Sequence, residues 1–177
     1  GAGSSHGLVI SSSSNVVMGL TIVGFPRSGI SIQGGCKNNV VGGSRSVGRG
    51  PNGQGLRISG NGAYGIEISG VGTTANTVKG CWVGLDSAGT GGQANIAGVI
   101  IRSGATANTI GSTLAPEENV ISGNTFEGLT VSGIGSDDNL VQGNRIGIGA
   151  SGSFPKVRAT GRAGLSYIAL GNGKAGV

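Results

Sequence analysis

The sequence predicts an all-β protein, a right-handed parallel β-helix of about five to six coils with three short strands per coil. Three observations predict this fold: the composition, a long repeated segment, and two short phrases that recur along the chain. Of 177 residues, 40 are Gly, whereas one Trp, two Tyr and three Phe are the only aromatic residues. Such a composition is typical of a chain that turns often between short aliphatic strands.

The composition also excludes several other classes of protein. There is no Gly-X-Y period and there are only four Pro, which excludes collagen. The net charge is +5, but the basic residues are scattered and aromatic residues are few, so we expect no nucleic-acid partner. No apolar run approaches the roughly 18 residues of a membrane-spanning helix, and we therefore expect no membrane span.

The repeated segment is the strongest indication of a solenoid. Residues 58–90 and 121–153 align without a gap, and 13 of 33 positions are identical. The identical residues are mostly Gly, Asn and alternating apolar residues. What repeats is therefore backbone geometry, as in stacked structural units.

The first recurring phrase is Gly-aliphatic-x-aliphatic. It occurs at 7–10, 29–32, 55–58, 65–68, 98–101 and 128–131. Apolar residues two positions apart lie on one face of a strand, and the Gly permits a bend or a close backbone approach. The starts at positions 7, 29, 65, 98 and 128 are unequally spaced, and the interval from 7 to 29 is the shortest. This shortest interval predicts one bare coil, and the longer ones predict loops at 43–54, 86–95 and 112–118.

The second phrase is Asn-x-aliphatic, and it predicts a structural asparagine ladder. A side-chain amide at a bend can satisfy main-chain groups that lack sheet partners, and stacked amides can bond one another from coil to coil. The alternative is a set of surface turn residues without stacking. The ladder is expected to consist of Asn15, Asn39, Asn76, Asn108, Asn119 and Asn139.

Segments 76–90, 119–133 and 139–153 resemble repeats of bacterial right-handed parallel β-helix proteins of the pectin-lyase-like superfamily. The resemblance extends from about residue 7 to residue 153. It implies a secreted or cell-surface location, but not one activity, because such proteins include lyases, hydrolases, epimerases, tailspikes, adhesins and spacers. We expect residues 1–177 to form a single β-helix domain that is a segment of a longer chain. Residues 154–177 depart from the repeat and are expected to form a terminal coil or a contact segment.

The few acidic residues do not predict an enzyme. Glu67 is expected to point outward from its strand, in a column with Val9, Ser31, Arg57, Ile100 and Thr130. That column holds one carboxylate, whereas glycoside hydrolysis needs two and a Ca²⁺-assisted lyase needs a cluster of oxygen ligands. Asp137 and Asp138 are the only adjacent Asp pair, a weak candidate for a cation that is better interpreted as a solvated turn. His6 is the only histidine, so no multi-histidine metal site is expected. We also expect no cofactor.

The two cysteines, Cys36 and Cys81, permit one disulfide. They are expected near bends whose rows need not coincide. Because a disulfide requires Cα atoms within roughly 7 Å, we predict free thiols.

Three functions remain open. The first is an extracellular structural module that builds cell-surface arrays or filaments by head-to-tail stacking, with itself or with adjoining coils of its parent chain as partner. The second is a carbohydrate-binding module that contacts extracellular polysaccharide through Arg57, Glu67, Tyr64 and Trp82. The third is a fragment of a polysaccharide lyase or hydrolase. The open ends of a β-helix favour the first.

Overall fold

The computed structural model describes residues 4–49 and 52–152. Within them, fifteen short strands form five successive coils of three strands each. In chain order the strands of coils 1 to 3 are β1 (Leu8–Ile10), β2 (Val16–Val17), β3 (Thr21–Val23), β4 (Ile30–Ile32), β5 (Val40–Gly42), β6 (Arg57–Ser59), β7 (Tyr64–Ser69), β8 (Thr77–Lys79) and β9 (Trp82–Val83). Those of coils 4 and 5 are β10 (Ala97–Arg102), β11 (Thr109–Ile110), β12 (Val120–Ile121), β13 (Leu129–Ser132), β14 (Leu140–Val141) and β15 (Arg145–Ile146).

Corresponding strands of successive coils pair in parallel and form three sheets. Sheet A has the order β1-β4-β7-β10-β13, sheet B the order β2-β5-β8-β11-β14, and sheet C the order β3-β6-β9-β12-β15. The chain passes from A to B to C in every coil and then returns to A. This is the right-handed parallel β-helix of about five coils that the sequence predicts. The segment 154–177 lies outside the described residues.

The register of sheet A reproduces the spacing of the Gly-aliphatic phrase. Leu8 pairs with Ile30, Ile30 with Ile66, Ile66 with Val99, and Val99 with Leu129. Each of these residues directly follows the Gly that opens its phrase, so the coil lengths equal the intervals between the phrases. The extra residues of the longer coils lie in the connections β5–β6, β9–β10 and β11–β12, which contain the three predicted loops. A one-turn 3₁₀ helix, Ala115–Glu117, lies in the last of them.

The core is a stack of aliphatic rows inside the three sheets. Ile30, Ile66 and Leu129 of sheet A have no accessible surface, and Val99 in the same row is almost completely buried. Rows of this kind pack each coil against its neighbours, as in other solenoids. Among the described residues, no helix is both long enough and apolar enough to cross a membrane.

In the phrases that form sheet A, the opening Gly is required by close packing at the corner between sheets C and A. A Cβ on Gly29 would lie 2.5 Å from Ile58 Cγ2, and one on Gly65 would overlap Val83 Cγ1. Neither contact can be accommodated without a shift of the core, so these corners exclude larger residues.

The corner between sheets A and B repeats one backbone conformation in all five coils. The residue before the first Asn of each coil's Asn-x-aliphatic phrase has a positive φ. These residues are Ser14 (63°), Asn38 (58°), Ala75 (56°), Ala107 (52°) and Asp138 (57°). The left-handed conformation turns the chain so that the following Asn points into the corner at the same height in each coil.

Candidate functional site

Five of the six predicted ladder residues form one continuous row at the corner between sheets A and B. Each side-chain Oδ1 after the first accepts bonds from the Nδ2–H and the main-chain N–H of the asparagine one coil earlier. The Nδ2–Oδ1 distances are 2.9 Å from Asn15 to Asn39, 2.8 Å from Asn39 to Asn76, 2.9 Å from Asn76 to Asn108 and 3.1 Å from Asn108 to Asn139. We call this row the first ladder. It satisfies main-chain donors that the sheets cannot pair.

Asn119, the sixth predicted residue, belongs to a different row. It lies at the corner between sheets B and C, where its Nδ2–H donates to Asn144 Oδ1 at 2.9 Å and its Oδ1 accepts the main-chain N–H of Cys81 at 2.9 Å. Its Nδ2 also donates to the carbonyl of Val78 at 2.9 Å. The prediction of a single ladder is therefore wrong for Asn119, because the same phrase occurs at two different corners.

A third row, at the corner between sheets C and A, is not marked by the Asn-x-aliphatic phrase. The Nδ2–H of Asn61 donates to Asn95 Oδ1, and the Nδ2–H of Asn95 donates to Asn124 Oδ1, both at 2.9 Å. All three asparagines are almost completely buried. The signal that could have found two of them is the phrase Ile-Ser-Gly-Asn, present at 58–61 and 121–124 of the repeated segment.

The outer face of sheet A carries a polar cluster around Glu67. The Arg102 side chain donates to Glu67 Oε1 from Nε at 3.0 Å and from Nη2 at 2.6 Å, and Ser28 Oγ donates to Oε2 at 3.0 Å. The Arg102 guanidinium also lies 5.5 Å from the centre of the Tyr64 ring. The hydrogen bonds from Arg102 to Glu67 raise the pKa of Arg102. Glu67 does point away from the core, but this cluster covers it and leaves only 7% of it exposed.

Glu67, Arg102 and Tyr64 line a pocket of about 260 Å³. Its remaining lining residues are His6, Arg27, Ser28, Ala63 and Ile96. The lining contains one carboxylate, and that carboxylate is held in an ion pair. The pocket therefore offers cationic and aromatic groups to a ligand, rather than the pair of acids that hydrolysis needs.

Arg57 and Trp82 do not lie beside Glu67. The column of Glu67 contains Val9, Ser31, Ile100 and Thr130, as predicted, but Arg57 pairs with Thr21 and Trp82 in sheet C. The assignment of Arg57 to that column is wrong, because the phrase at 55–58 follows the 43–54 loop and forms a strand of the third sheet.

The four residues predicted to contact polysaccharide therefore divide into two pairs. Glu67 and Tyr64 share sheet A, whereas Arg57 and Trp82 share sheet C. Arg57 donates to Gln93 Oε1 at 2.8 Å. Trp82 is buried against Leu85 and Val120 and offers no open aromatic platform.

The loop at 112–118 is held by ion pairs that the sequence does not reveal. Glu117 Oε1 lies 3.0 Å from Lys79 Nζ, and Glu118 Oε1 lies 3.1 Å from Arg45 Nη2 and 2.8 Å from Arg145 Nε. The hydrogen bond from Lys79 lowers the pKa of Glu117. These contacts join residues that are distant in the sequence, and they connect the loop to coils 2, 3 and 5.

The other candidate residues lie apart from these clusters. Asp137 and Asp138 lie in an exposed turn, and in the described residues no group of three or more His, Cys, Asp or Glu could hold a metal ion. Cys36 and Cys81 are buried free thiols, as predicted. Burial raises the pKa of Cys81 to about 12, so this thiol is not a nucleophile at neutral pH.

The first coil presents an open edge. The Leu8 N–H donates to the carbonyl of Gly29, and the Ile10 carbonyl accepts from Gln33, so both residues direct main-chain groups toward coil 2. In a parallel ladder the residue between them directs its N–H and C=O to the opposite side. Val9 therefore presents an N–H and a C=O at the edge of sheet A. Val16 likewise presents an N–H and a C=O at the edge of sheet B, because the carbonyl of its neighbour Asn15 is directed toward coil 2 and accepts from the Val40 N–H.

Apolar side chains accompany this edge. Val9 and Val16 are 45% and 62% exposed, and Met18 and Leu20 of the same coil are also exposed. The last described coil likewise exposes Val131, Ile134, Leu140 and Val141. Both ends of the described rod are thus less well covered than its middle.

The fold and its ladders define the chain as a β-solenoid of the parallel β-helix class. Comparison with protein-family models, with curated proteins and with solved structures finds no match to this chain.

Proposed function

We propose that this chain is an extracellular structural β-solenoid module that builds cell-surface arrays or filaments by end-to-end stacking of coils. Its partner is a second copy, or the adjoining coils of its parent protein. We also propose that it belongs to the pectin-lyase-like superfamily. Three parallel sheets wound in successive coils and buried asparagine ladders support that membership.

The observation that carries the proposal is the open edge of coil 1. Val9 and Val16 present main-chain groups there that pair with no described residue, beside exposed apolar side chains. Natural proteins usually protect such an edge with Lys, Pro, a bulge or a covering segment, because it is a template for pairing with another chain. None of the residues of β1 and β2 is charged or Pro. Stacking would pair these groups by the geometry that joins the coils inside the chain.

Sedimentation velocity over a range of protein concentrations tests the proposal. We expect the average mass to rise with concentration. In the Val9→Pro variant we expect association to weaken by roughly tenfold or more, because Pro has no N–H to donate across the edge. Edge strands tolerate Pro, and the Val9 N–H makes no bond to the described residues, so the variant should remain folded.

The matched control is Val9→Thr, which keeps the N–H and the branched shape but adds a hydroxyl. We expect it to associate almost as well as the unaltered chain. Equal loss in both variants would assign the effect to the side chain, and a monomer at every concentration would contradict the stacking of copies.

A second candidate function is carbohydrate binding at the pocket around Glu67. The observation in its favour is the Tyr64 ring beside the Arg102–Glu67 pair, because sugar sites combine an aromatic face with a few fixed polar groups. A glycan-array measurement with Tyr64→Ala tests it. Binding that disappears in this variant, with unchanged thermal unfolding, would favour this function over the structural one.

A further inference from the structure

We propose that copies stack head to tail and in register, with coil 1 of one copy following coil 5 of another. The inference rests on the proposed stacking function and specifies its partner, polarity and contacts. It follows from the direction of the first ladder. Every rung has the same polarity, since the asparagine of one coil donates and the Oδ1 of the next coil accepts.

The two ends of the first ladder are consequently complementary. At the first rung, Asn15 Oδ1 accepts no hydrogen bond from any described residue, although its N–H and Nδ2–H donate to Asn39. At the last rung, Asn139 uses one Nδ2–H to donate to the Ala105 carbonyl. Within the described part of the chain, its main-chain N–H and its second Nδ2–H have no acceptor. The Asn15 end therefore offers an acceptor without a donor, and the Asn139 end offers donors without an acceptor, so the two ends can bond to each other.

Head-to-tail stacking reproduces an interior rung. Asn139 of one copy would donate its N–H and Nδ2–H to Asn15 Oδ1 of the next, as Asn76 donates to Asn108. Head-to-head stacking would instead place two Asn15 acceptors against each other. Such a contact leaves buried polar groups unsatisfied, which is costly.

The same register continues the rows of sheet A. Leu129 would be followed by Leu8 in the inward row, and Thr130 by Val9 in the outward row, because these residues already share columns along the chain. At the corner between sheets B and C, Asn144 would meet Leu20, which has no side-chain acceptor. The first ladder is therefore the contact that distinguishes this register and polarity from others.

Disulfide trapping tests polarity and register together. Neighbouring residues of adjacent parallel strands lie roughly 4.8 Å apart, within the Cα separation that a disulfide accepts. We expect an equimolar mixture of the Val9→Cys and Thr130→Cys variants to give a cross-linked heterodimer under mild oxidation. Each variant alone should remain uncrosslinked. The native thiols are buried and should not compete.

Two further variants sharpen the test. The mixture of Val71→Cys and Thr130→Cys should give no cross-link, because Val71 is an exposed residue on the flank of coil 3. Asn15→Ala, introduced into the Val9→Cys chain, should lower the rate of cross-linking by about tenfold, the loss expected for one or two hydrogen bonds.

The failures of the two proposals are distinguishable. Association in sedimentation together with dimers of the Val9→Cys variant alone would preserve stacking but overturn the head-to-tail polarity. Association with an uncrosslinked mixture would overturn the register. A monomeric chain that forms no cross-link would overturn both.

Discussion

Replacing Asn76 by Ala tests the first ladder at its centre. The Asn76 side chain has no accessible surface. Its Oδ1 accepts from the main-chain N–H of Asn39 at 3.1 Å and from Asn39 Nδ2 at 2.8 Å, and its Nδ2 donates to Asn108 Oδ1 at 2.9 Å and to the Cys36 carbonyl at 3.2 Å. The substitution removes all four bonds without changing any sheet residue.

Most of the expected loss in the free energy of unfolding comes from hydrogen-bonding groups that remain buried without a partner. The Cys36 carbonyl still accepts from the Thr74 N–H, and Asn108 Oδ1 still accepts from the main-chain N–H at position 76. The two donors of Asn39, itself fully buried, lose their acceptor. Since each unsatisfied buried donor costs about 1–3 kcal/mol, we expect the free energy of unfolding to fall by roughly 2–6 kcal/mol.

Equilibrium urea unfolding, at a concentration where the chain is monomeric, measures this loss. The matched control is Asn15→Ala, which removes the same atoms from the same row. It leaves no side chain or N–H without its acceptor, because Asn15 Oδ1 accepts nothing from the described residues. We expect a loss of about 1 kcal/mol or less for this control and an intermediate loss for Asn139→Ala, whose corner is half-buried. Equal losses for Asn76→Ala and Asn15→Ala, with unchanged m-values, would refute the argument.

Two other predictions concern the turns and the 112–118 loop. Ala75 and Ala107 are exposed and have positive φ, so Ala75→Gly and Ala107→Gly should each raise the free energy of unfolding by about 0.5–1 kcal/mol; a decrease in the denaturation midpoint would contradict this. The pKa of Glu117 is lowered in the folded chain, so its contribution is present above the unfolded pKa of about 4.3 and is lost as the pH falls through the folded value. The stability difference between the unaltered chain and Glu117→Gln should therefore be largest near neutral pH and disappear in acid, and a difference independent of pH would exclude the ion pair with Lys79 as its cause.

The architecture could be predicted because the register of a β-helix determines the spacing of its sequence phrases. Residues such as Ile30 and Ile66 occupy one inward row, so the spacing of their phrases equals the length of a coil plus its loop. The first ladder could be predicted for a similar reason. Each of its asparagines directly precedes a short strand, and the apolar alternation of that strand marks its position.

The remaining features depend on contacts that no local pattern encodes. Asn95 does not directly precede a strand, because Ile96 separates it from β10, and the Asn-x-aliphatic phrase therefore does not mark it. Arg102 contacts Glu67 only because β10 pairs with β7, although the two residues are distant in the sequence. The sheet of Arg57 is predicted wrongly because one phrase occurs in two sheets. The strand that contains Arg57 follows β5 of sheet B, and the chain passes from sheet B to sheet C in every coil.

The corner between sheets B and C leads to a prediction that opposes the usual rule, which is that a polar substitution at a buried position lowers stability. Its row contains Leu56, Cys81, Asn119 and Asn144, since each directly precedes a strand of sheet C. Cys81 is fully buried, and its Sγ contacts the Val41 carbonyl at 3.9 Å, as the Nδ2 of Asn119 contacts the Val78 carbonyl one coil later.

In a Cys81→Asn variant, Nδ2 could donate to the Val41 carbonyl and to Asn119 Oδ1, and Oδ1 would face the main-chain N–H of Leu56. Each polar atom of the new side chain would then have the same kind of partner as the corresponding atom of Asn119. We therefore expect this fully buried polar substitution to leave the free energy of unfolding unchanged or to raise it by about 1 kcal/mol, whereas Cys81→Ala should lower it by about 1 kcal/mol. A clear loss of stability for Cys81→Asn, larger than that for Cys81→Ala, would mean that the row cannot be extended, and that the geometry of each rung depends on its own coil rather than on the repeat.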